Sequence, residues 1–527
     1  MIDGSVLIVG AGPSGLAMAS ALGAQGVGAR IIDMAKGPAV ESRALAIQAR
    51  SLEVFDSWGI ADEVVSCGLP MHGVRLYGED KYLLFRLDFA SLPSRFPYML
   101  CLPQAETEKI LGSHVEQLGF IVERETKLAT MRFESDCCVV TLEKGNGETE
   151  EARFQWVIGC DGAHSAVREL AHTPFEGKDY PQQFALADLR INWPLAPSEA
   201  HIFTSPEGIL ACFPMPDGYY RIVANKGTGE STDTPNIDEI RTLISARGPS
   251  GVQVDELRWS ANFFLHSRLV DTLQRGRTLL VGDAAHIHSP ALGQGMNTGI
   301  QDAANLGWKL ALVIKGLADP SLISTYDAER WQVEHNVLSQ TDFVTKVMNG
   351  QNRFLSWLRD HIGPLVVKNE NVTTRIRELI SELSIDYSGS SIVVAMKGEG
   401  LQPGERAPDA LVERDGNQIR LYELLRGPGH HLVLIGDQDV DWTTLELLGG
   451  EVTVLAIRRD YKEGSPGTID RKGEMASVYG LDRAYLIRPD GYIGAICDFG
   501  SLPDTLRQYA GGLHALPQVM QSKATLM

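Results

Sequence analysis

The stretch from 278 to 312, TLLVGDAAHIHSPALGQGMNTGIQDAANLGWKLAL, constrains this chain more than any other. An apolar run from Thr278 to Val281 breaks at Gly282-Asp283, a loop with Pro290, Gly293 and Gly295 follows, and helical periodicity resumes near Asn297. The spacing predicts a strand, a loop and the N-terminus of a helix. That helix should be buried, because Ile300, Ala303, Ala304, Leu306, Gly307, Trp308 and Leu310 are apolar or small. A helix start leaves backbone N–H groups pointing at the loop and favours negative charge, and glycines let a ligand approach the backbone. The loop is suited to hold an anionic ligand oxygen rather than a metal.

Residues 5–33, SVLIVGAGPSGLAMASALGAQGVGARIID, predict a strand, a glycine turn that includes Ser14, a helix and a second strand. Gly10, Gly12 and Gly15 fall at GxGxxG spacing. The first permits the tight turn, the second admits a pyrophosphate, and the third lets the helix pack on the strand. Asp33 ends the second strand, where an acid can accept from a ribose hydroxyl. The pattern points to a dinucleotide and does not separate NAD from FAD.

Further along, residues 41–65 predict a packed helix preceded by Arg43, and a helix begins near Ala105 just after Gln104. QWVIGCDGAHSAVREL brings an apolar strand to Asp161-Gly162 and then to a short helix with Ser165 and Arg168. The Arg168 fork suits a phosphate or carboxylate; spacing leaves open whether it meets a ligand or pairs with Asp161.

These motifs, in this order, resemble those of the single-component FAD-dependent aromatic hydroxylases, the class A flavoprotein monooxygenases. The resemblance implies Asp283 beside the FAD ribityl chain, and Gly295, Met296 and Asn297 beside the flavin N1/C2 carbonyl. It implies Arg43 and Gln104 as flavin contacts, although an arginine or glutamine at a helix start is also an ordinary surface residue. It makes Asp161-Gly162 a motif serving FAD and pyridine nucleotide. The family usually has glycine where this chain has Leu292. The activity implied is NADH- or NADPH-dependent hydroxylation of a phenolic or polycyclic aromatic compound with O2, through a flavin C4a-hydroperoxide. The same scaffold could carry an FAD oxidase, a reductase or a Baeyer–Villiger monooxygenase, or a flavoprotein that only sequesters an aromatic ligand.

Substrate is expected over the flavin on an inserted, largely antiparallel sheet from 180 to 275, joined by residues 71–100. Phe203, Phe213, Met215 and Tyr219 are its candidate lining, each equally placed to be core. The FAD-binding part, of Rossmann type, takes 1–70, 101–179 and 276–383 with a helical extension. A polar, glycine-marked stretch from 384 to 403 reads as a linker. From 404 to 527 the chain resembles the thioredoxin-like C-terminal domain of larger relatives. Where a redox pair would follow His431–Ile435 there is Gly436-Asp437-Gln438-Asp439, so a redox-inactive domain is expected.

A general base is not named by sequence. His72, His201, His266, His286 and His288 are available, and each reads equally as structural. His286 and His288 have no cysteine or carboxylate at metal-ligand spacing beside them, so no metal is expected. The formal net charge of −19 argues against nucleic acid. Seven scattered cysteines without CxxC spacing fit a reducing cytosol. With no signal peptide pattern and no apolar run near ~20 residues, a cytoplasmic protein without membrane association is expected, and analogy adds a homodimer.

Overall fold

The strand Gly4–Val9 buries its last four residues, as the middle of a parallel sheet requires. It runs parallel to Arg30–Ile32 on one side and to the end of Thr149–Gly159 on the other, and Val122–Glu123 and Thr278–Leu280 extend the parallel set. The front of Thr149–Gly159 leaves this arrangement and pairs antiparallel with Cys138–Lys144 across the Gly145-Asn146-Gly147 turn. Two helices, Pro13–Ala24 and Gly295–Ile314, pack so closely that a Cβ on Gly307 would stand 2.5 Å from that of Ala21. The coordinates, a computed structural model, describe residues 4–39, 44–228, 233–289, 293–348, 369–396, 398–437, 452–459, 468–513 and 525–526. Arg43, Pro290 and Leu292 lie outside them.

The second sheet has the order His286–Ile287, Gln253–Val270, Phe175–Asn192, Tyr219–Thr228, Gly208–Pro214, Glu199–Ser205, Gly73–Tyr77 and Leu83–Asp88. All its pairs are antiparallel except Glu199–Ser205 with Gly73–Tyr77, so part of the 71–100 segment does join this sheet. One face, with Ala185, Ala187, Leu189, Cys212 and Ile222, packs on helix Ile237–Arg247 through Ile240 and Ile244. Residues of the opposite parity turn toward the first sheet: Arg221 donates to the Ala44 carbonyl at 3.1 Å, and Phe213 packs on the main core.

This parity corrects one expectation. Phe203 lies on the helix-packed face, 1% exposed and stacked on Tyr77 with ring centroids 4.5 Å apart. It is core, because successive residues of a strand face opposite ways.

A third sheet runs Asn417–Arg420, Leu411–Arg414, Thr468–Ile469, Val452–Arg458, His430–Ile435, Arg483–Ile487 and Ile493–Asp498, with Thr525–Leu526 beside Val452–Arg458. Its buried contact with the rest of the chain is partly apolar, with Trp308, Ala318 and Leu322 clustered with Leu432, Leu434 and Leu486, and partly polar. Arg406 reaches Glu53 at 2.9 Å, Arg488 reaches Glu329 at 2.8 Å, and the Trp308 indole donates to Asp490 at 3.1 Å. The 384–403 stretch, expected as a linker, is a packed strap: Tyr387 and Ile392 are buried, and Ser390 donates to Glu329. Ser384, Asp386, Ser388, Ser391 and Glu399 are exposed, which gives the stretch a linker's composition although it packs. Among the described residues no helix is long and apolar enough to cross a membrane.

Candidate functional site

The glycine turn after Gly4–Val9 has an open side. A Cβ on Gly10, at φ +100, would meet the Cys160 carbonyl at 2.4 Å, and one on Gly15 would meet the Gly10 carbonyl at 1.9 Å. One on Gly12 would meet nothing within 4 Å. Two glycines thus serve packing, and the middle one faces empty space. Helix Pro13–Ala24 starts there with no side-chain cap, leaving its first-turn N–H groups available. Asp33 Oδ2 accepts from Ala11 N at 2.6 Å and fixes the turn from below. The Ser14 hydroxyl is a packing contact, since a Cβ on Gly282 or Gly299 would stand 2.2 or 2.4 Å from it; its backbone N–H is what remains for a ligand.

The central helix Gly295–Ile314 also begins without a side-chain cap, and its first intrahelical bond is Thr298 N to Gln294 O at 2.9 Å. The N–H groups of Gly295, Met296 and Asn297 therefore precede the helical ladder. The Asn297 side chain is engaged elsewhere. It accepts from Gln48 N at 2.8 Å and donates to the Ala46 and Gly293 carbonyls, both at 2.9 Å. It stitches the helix start to the strap after Arg43, so its backbone faces the loop. Gln104 holds the other side of that strap, accepting from Ala44 N at 3.3 Å and donating to Glu108 at 2.8 Å.

Asp161 accepts from the Ser165 hydroxyl and from Val167 N at 3.2 Å, and burial pushes its carboxyl pKa up. Gly162 stands at φ +76 with nothing near its would-be Cβ. Arg168 meets two backbone carbonyls and a ring. It donates to the Ala284 and Ala163 carbonyls at 3.0 and 2.8 Å and lies 4.0 Å above the Phe175 ring. The structure makes it a brace between the Asp161 and Gly282 turns. Asp283 is exposed on the latter turn.

Sequence reasoning missed what lies behind this turn. His286, Asp302 and Glu334 bring ligand-type atoms within 4.8 Å of one another, so carboxylates do accompany His286 once the chain folds. The Arg330 guanidinium sits among them, 2.7 Å from Asp302 and 2.9 Å from Glu334, and supplies positive charge there. His286 Nε2 is 2.8 Å from Asp302; its Nδ1 lies 3.2 Å from Glu334 Oε2, at an angle outside a hydrogen bond. Burial opposes the charge on His286, but the Glu334 and Asp302 carboxylates outweigh it and raise its pKa to about 9. Burial and its cationic neighbour push His288 down to about 4, leaving it neutral. No local signal marks the cluster, because Asn297, Gln301, Asn305 and Lys309 also interrupt the apolar pattern of that helix.

His201 is buried between Tyr77 and the Ala196 carbonyl, His266 is exposed against Asp179, and His72 is exposed beside Tyr98. Of the candidate substrate residues, Phe213 is half-buried, Met215 is buried, and Tyr219 is buried with its hydroxyl on Glu256 at 2.8 Å. Asp188 holds Arg221 through two bonds of 2.7 Å on the same face, and Trp259 stands opposite Asp188.

The uncapped helix starts, the open Gly12 side and the acids at 33 and 283 fit a dinucleotide with FAD's phosphates and ribityl chain. Comparison with known proteins agrees. A family model for an FAD binding domain matches residues 3–341, and one for the C-terminal region of aromatic-ring hydroxylases matches residues 401–512. The chain is 33% identical over 530 residues to the 6-methylpretetramide 4-monooxygenase of Streptomyces rimosus, covering 97% of this chain and 94% of that one. It is 30% identical over 515 residues to the pentachlorophenol 4-monooxygenase of Sphingobium chlorophenolicum, covering 94% of each. Among solved structures, the OxyS anhydrotetracycline hydroxylase of Streptomyces rimosus matches with a TM-score of 0.78 at 27% identity, over 96% of this chain and 99% of that one.

Proposed function

The chain belongs to the FAD-dependent aromatic-ring hydroxylases, and from that membership we propose that it uses NADH or NADPH and O2 to hydroxylate a phenolic or polycyclic aromatic compound in the cytoplasm. Relatives named for tetracycline-type, chlorophenol and rifampicin substrates support the breadth of that class. When bound, FAD supplies the electron transfer and oxygen activation.

The observation that carries the reading is the juxtaposition of the cradle and the second sheet. The chain leaves Thr278–Leu280 of the first sheet, makes the Gly282-Asp283 turn, and enters the second sheet as His286–Ile287. One loop thus belongs to both. We assign the pyrophosphate to Gly10, Gly12, the Ser14 and Gly15 N–H groups and the Asp161-Gly162 turn, the ribose to Asp33, and the ribityl chain to Asp283. The N–H groups of Gly295, Met296 and Asn297 offer oxyanion-type stabilisation beside the ring system. An aromatic substrate lies against the sheet face that carries Phe213, Met215, Trp259 and the Asp188–Arg221 pair. Covering by that face excludes water, which such chemistry needs.

We divide the chain as the sequence does, into an FAD part, a substrate sheet and a C-terminal unit from 404. The order Val452–Arg458, His430–Ile435, Arg483–Ile487, Ile493–Asp498, with the first pair parallel and the others antiparallel, supports a thioredoxin-like reading of that unit. Lacking a cysteine pair after its central strand, it is not a redox partner. The test is turnover with ¹⁸O₂ and a panel of phenols and polycyclic aromatics. One labelled oxygen in a product formed at the expense of NAD(P)H is expected. Oxidation of NAD(P)H to peroxide alone with every aromatic compound would overturn the hydroxylase reading.

A further inference from the structure

The Gly282-Asp283 turn stands on one carboxylate. Asp302 Oδ2 accepts from Gly282 N at 3.0 Å and lies 2.8 Å from His286 Nε2, so it holds the turn at both ends. Its other oxygen accepts from Arg330 Nε at 2.7 Å. Arg330 is fully buried, and its Nη2 donates to Glu334 at 2.9 Å and to the Thr298 carbonyl at 3.2 Å. Nη1 donates to the Tyr387 hydroxyl at 3.1 Å. Tyr387 belongs to the strap, and its ring packs on Tyr492 of the C-terminal unit with centroids 4.4 Å apart. The Arg488 guanidinium of that unit lies 5.1 Å from the same ring. A buried path therefore runs from Tyr492 through Tyr387, Arg330 and Asp302 to Gly282.

Packing alone does not call for these groups. Apolar side chains of similar volume could join the long helix Ser324–Met348 to the central helix without desolvating several ionisable groups, and such replacements are often neutral or stabilising. Charged, hydrogen-bonded groups add direction. A planar guanidinium offers donors at fixed angles, so the place of Tyr387 constrains Arg330, which constrains the Asp302 oxygens on which the turn rests.

We propose that Asp302 and Arg330 are positioning residues for FAD binding, and that the C-terminal unit sets the place of the Gly282-Asp283 turn through Tyr387. This rests on the reading of that turn as an FAD contact. The C-terminal unit is then part of the flavin site without touching the flavin, which gives a redox-inactive domain a task in the reaction.

The test uses full-length holoenzyme and three variants. Tyr387→Phe removes one hydroxyl and keeps the ring stack. Asp302→Asn removes the charge beneath the turn. Trp308→Phe is the control, because it deletes the indole donor to Asp490 in the same interface and leaves the Tyr387 hydroxyl bonded to Arg330. The readouts are the FAD dissociation constant from fluorescence of released flavin, the visible circular dichroism of bound flavin, and the melting temperature. Tyr387→Phe should weaken FAD binding about fivefold, part of the worth of the hydrogen bond its hydroxyl accepts from the charged Arg330, and Asp302→Asn at least about tenfold. Both should alter the flavin dichroism. Trp308→Phe should lower the melting temperature and leave FAD affinity and dichroism as in the parent. Unchanged FAD affinity in Tyr387→Phe would overturn the proposal, and so would equal weakening by Trp308→Phe. If Asp302→Asn does not fold, Tyr387→Phe decides. A parent protein that takes up no FAD would sink the reading of the turn itself.

Discussion

Glu382 combines two unfavourable features. Its backbone stands in the left-handed region at φ +61, and its carboxyl is buried with an amide, Gln301, as its hydrogen-bond partner at 2.6 Å. Burial raises its pKa to about 8, with Arg330 opposing and Glu334 reinforcing the shift. A carboxyl raised on folding binds more protons in the native state than in the unfolded one between its unfolded pKa near 4.5 and about 8. Stability must therefore fall as pH rises through that window. Glu382→Gln cannot titrate, so it should gain on the order of 2 kcal/mol relative to the parent between pH 5 and pH 8, read by urea unfolding at both. An equal difference at the two pH values would show that Glu382 is not held protonated. Nothing in the sequence marks this residue, because its burial and its φ are created by the strap that follows.

At the scale of elements, the glycine turn separates folding from binding. Gly12 has φ −77 and open space at its Cβ position, so alanine fits the fold there, whereas Gly15 has the Gly10 carbonyl where a Cβ would go. Gly12→Ala should leave apo-protein stability unchanged or raised by a few tenths of a kcal/mol and weaken FAD binding at least about tenfold. Gly15→Ala should lower the melting temperature of the apo form. The same loss of stability in both variants would contradict the assignment. Legibility follows the same line. The Gly-x-Gly-x-x-Gly turn and the start of the central helix were readable because local backbone chemistry dictates them. The parity of the second sheet was not, because Phe184 to Ala187 puts apolar residues on both faces; Phe203 read as lining or as core, and only the fold, by stacking it on Tyr77, decides for core. Arg168 was readable as a functional arginine by type, but only the fold brings Ala284 to it.

For the whole molecule, the strap and the C-terminal unit are where sequence says least. Polar composition at 384–403 implied solvent, and most of its polar side chains are exposed, yet the fold gives Tyr387 and Ser390 buried partners from distant segments, Arg330 and Glu329. Long-range pairing of buried charge has no local signature. It also explains why the acidic excess of the chain does not oppose an anionic cofactor: surface charge is screened within roughly 8 Å, whereas helix starts and buried arginines act at the turn itself. If a nicotinamide reduces the FAD held in this cradle, an aromatic substrate should control the step. Purified holoenzyme should be followed anaerobically for flavin bleaching by NADPH and by NADH, with and without a panel of phenols and polycyclic aromatics. Bleaching accelerated many-fold by at least one aromatic compound is the expected result. Flavin that neither nucleotide bleaches under any condition would contradict the account.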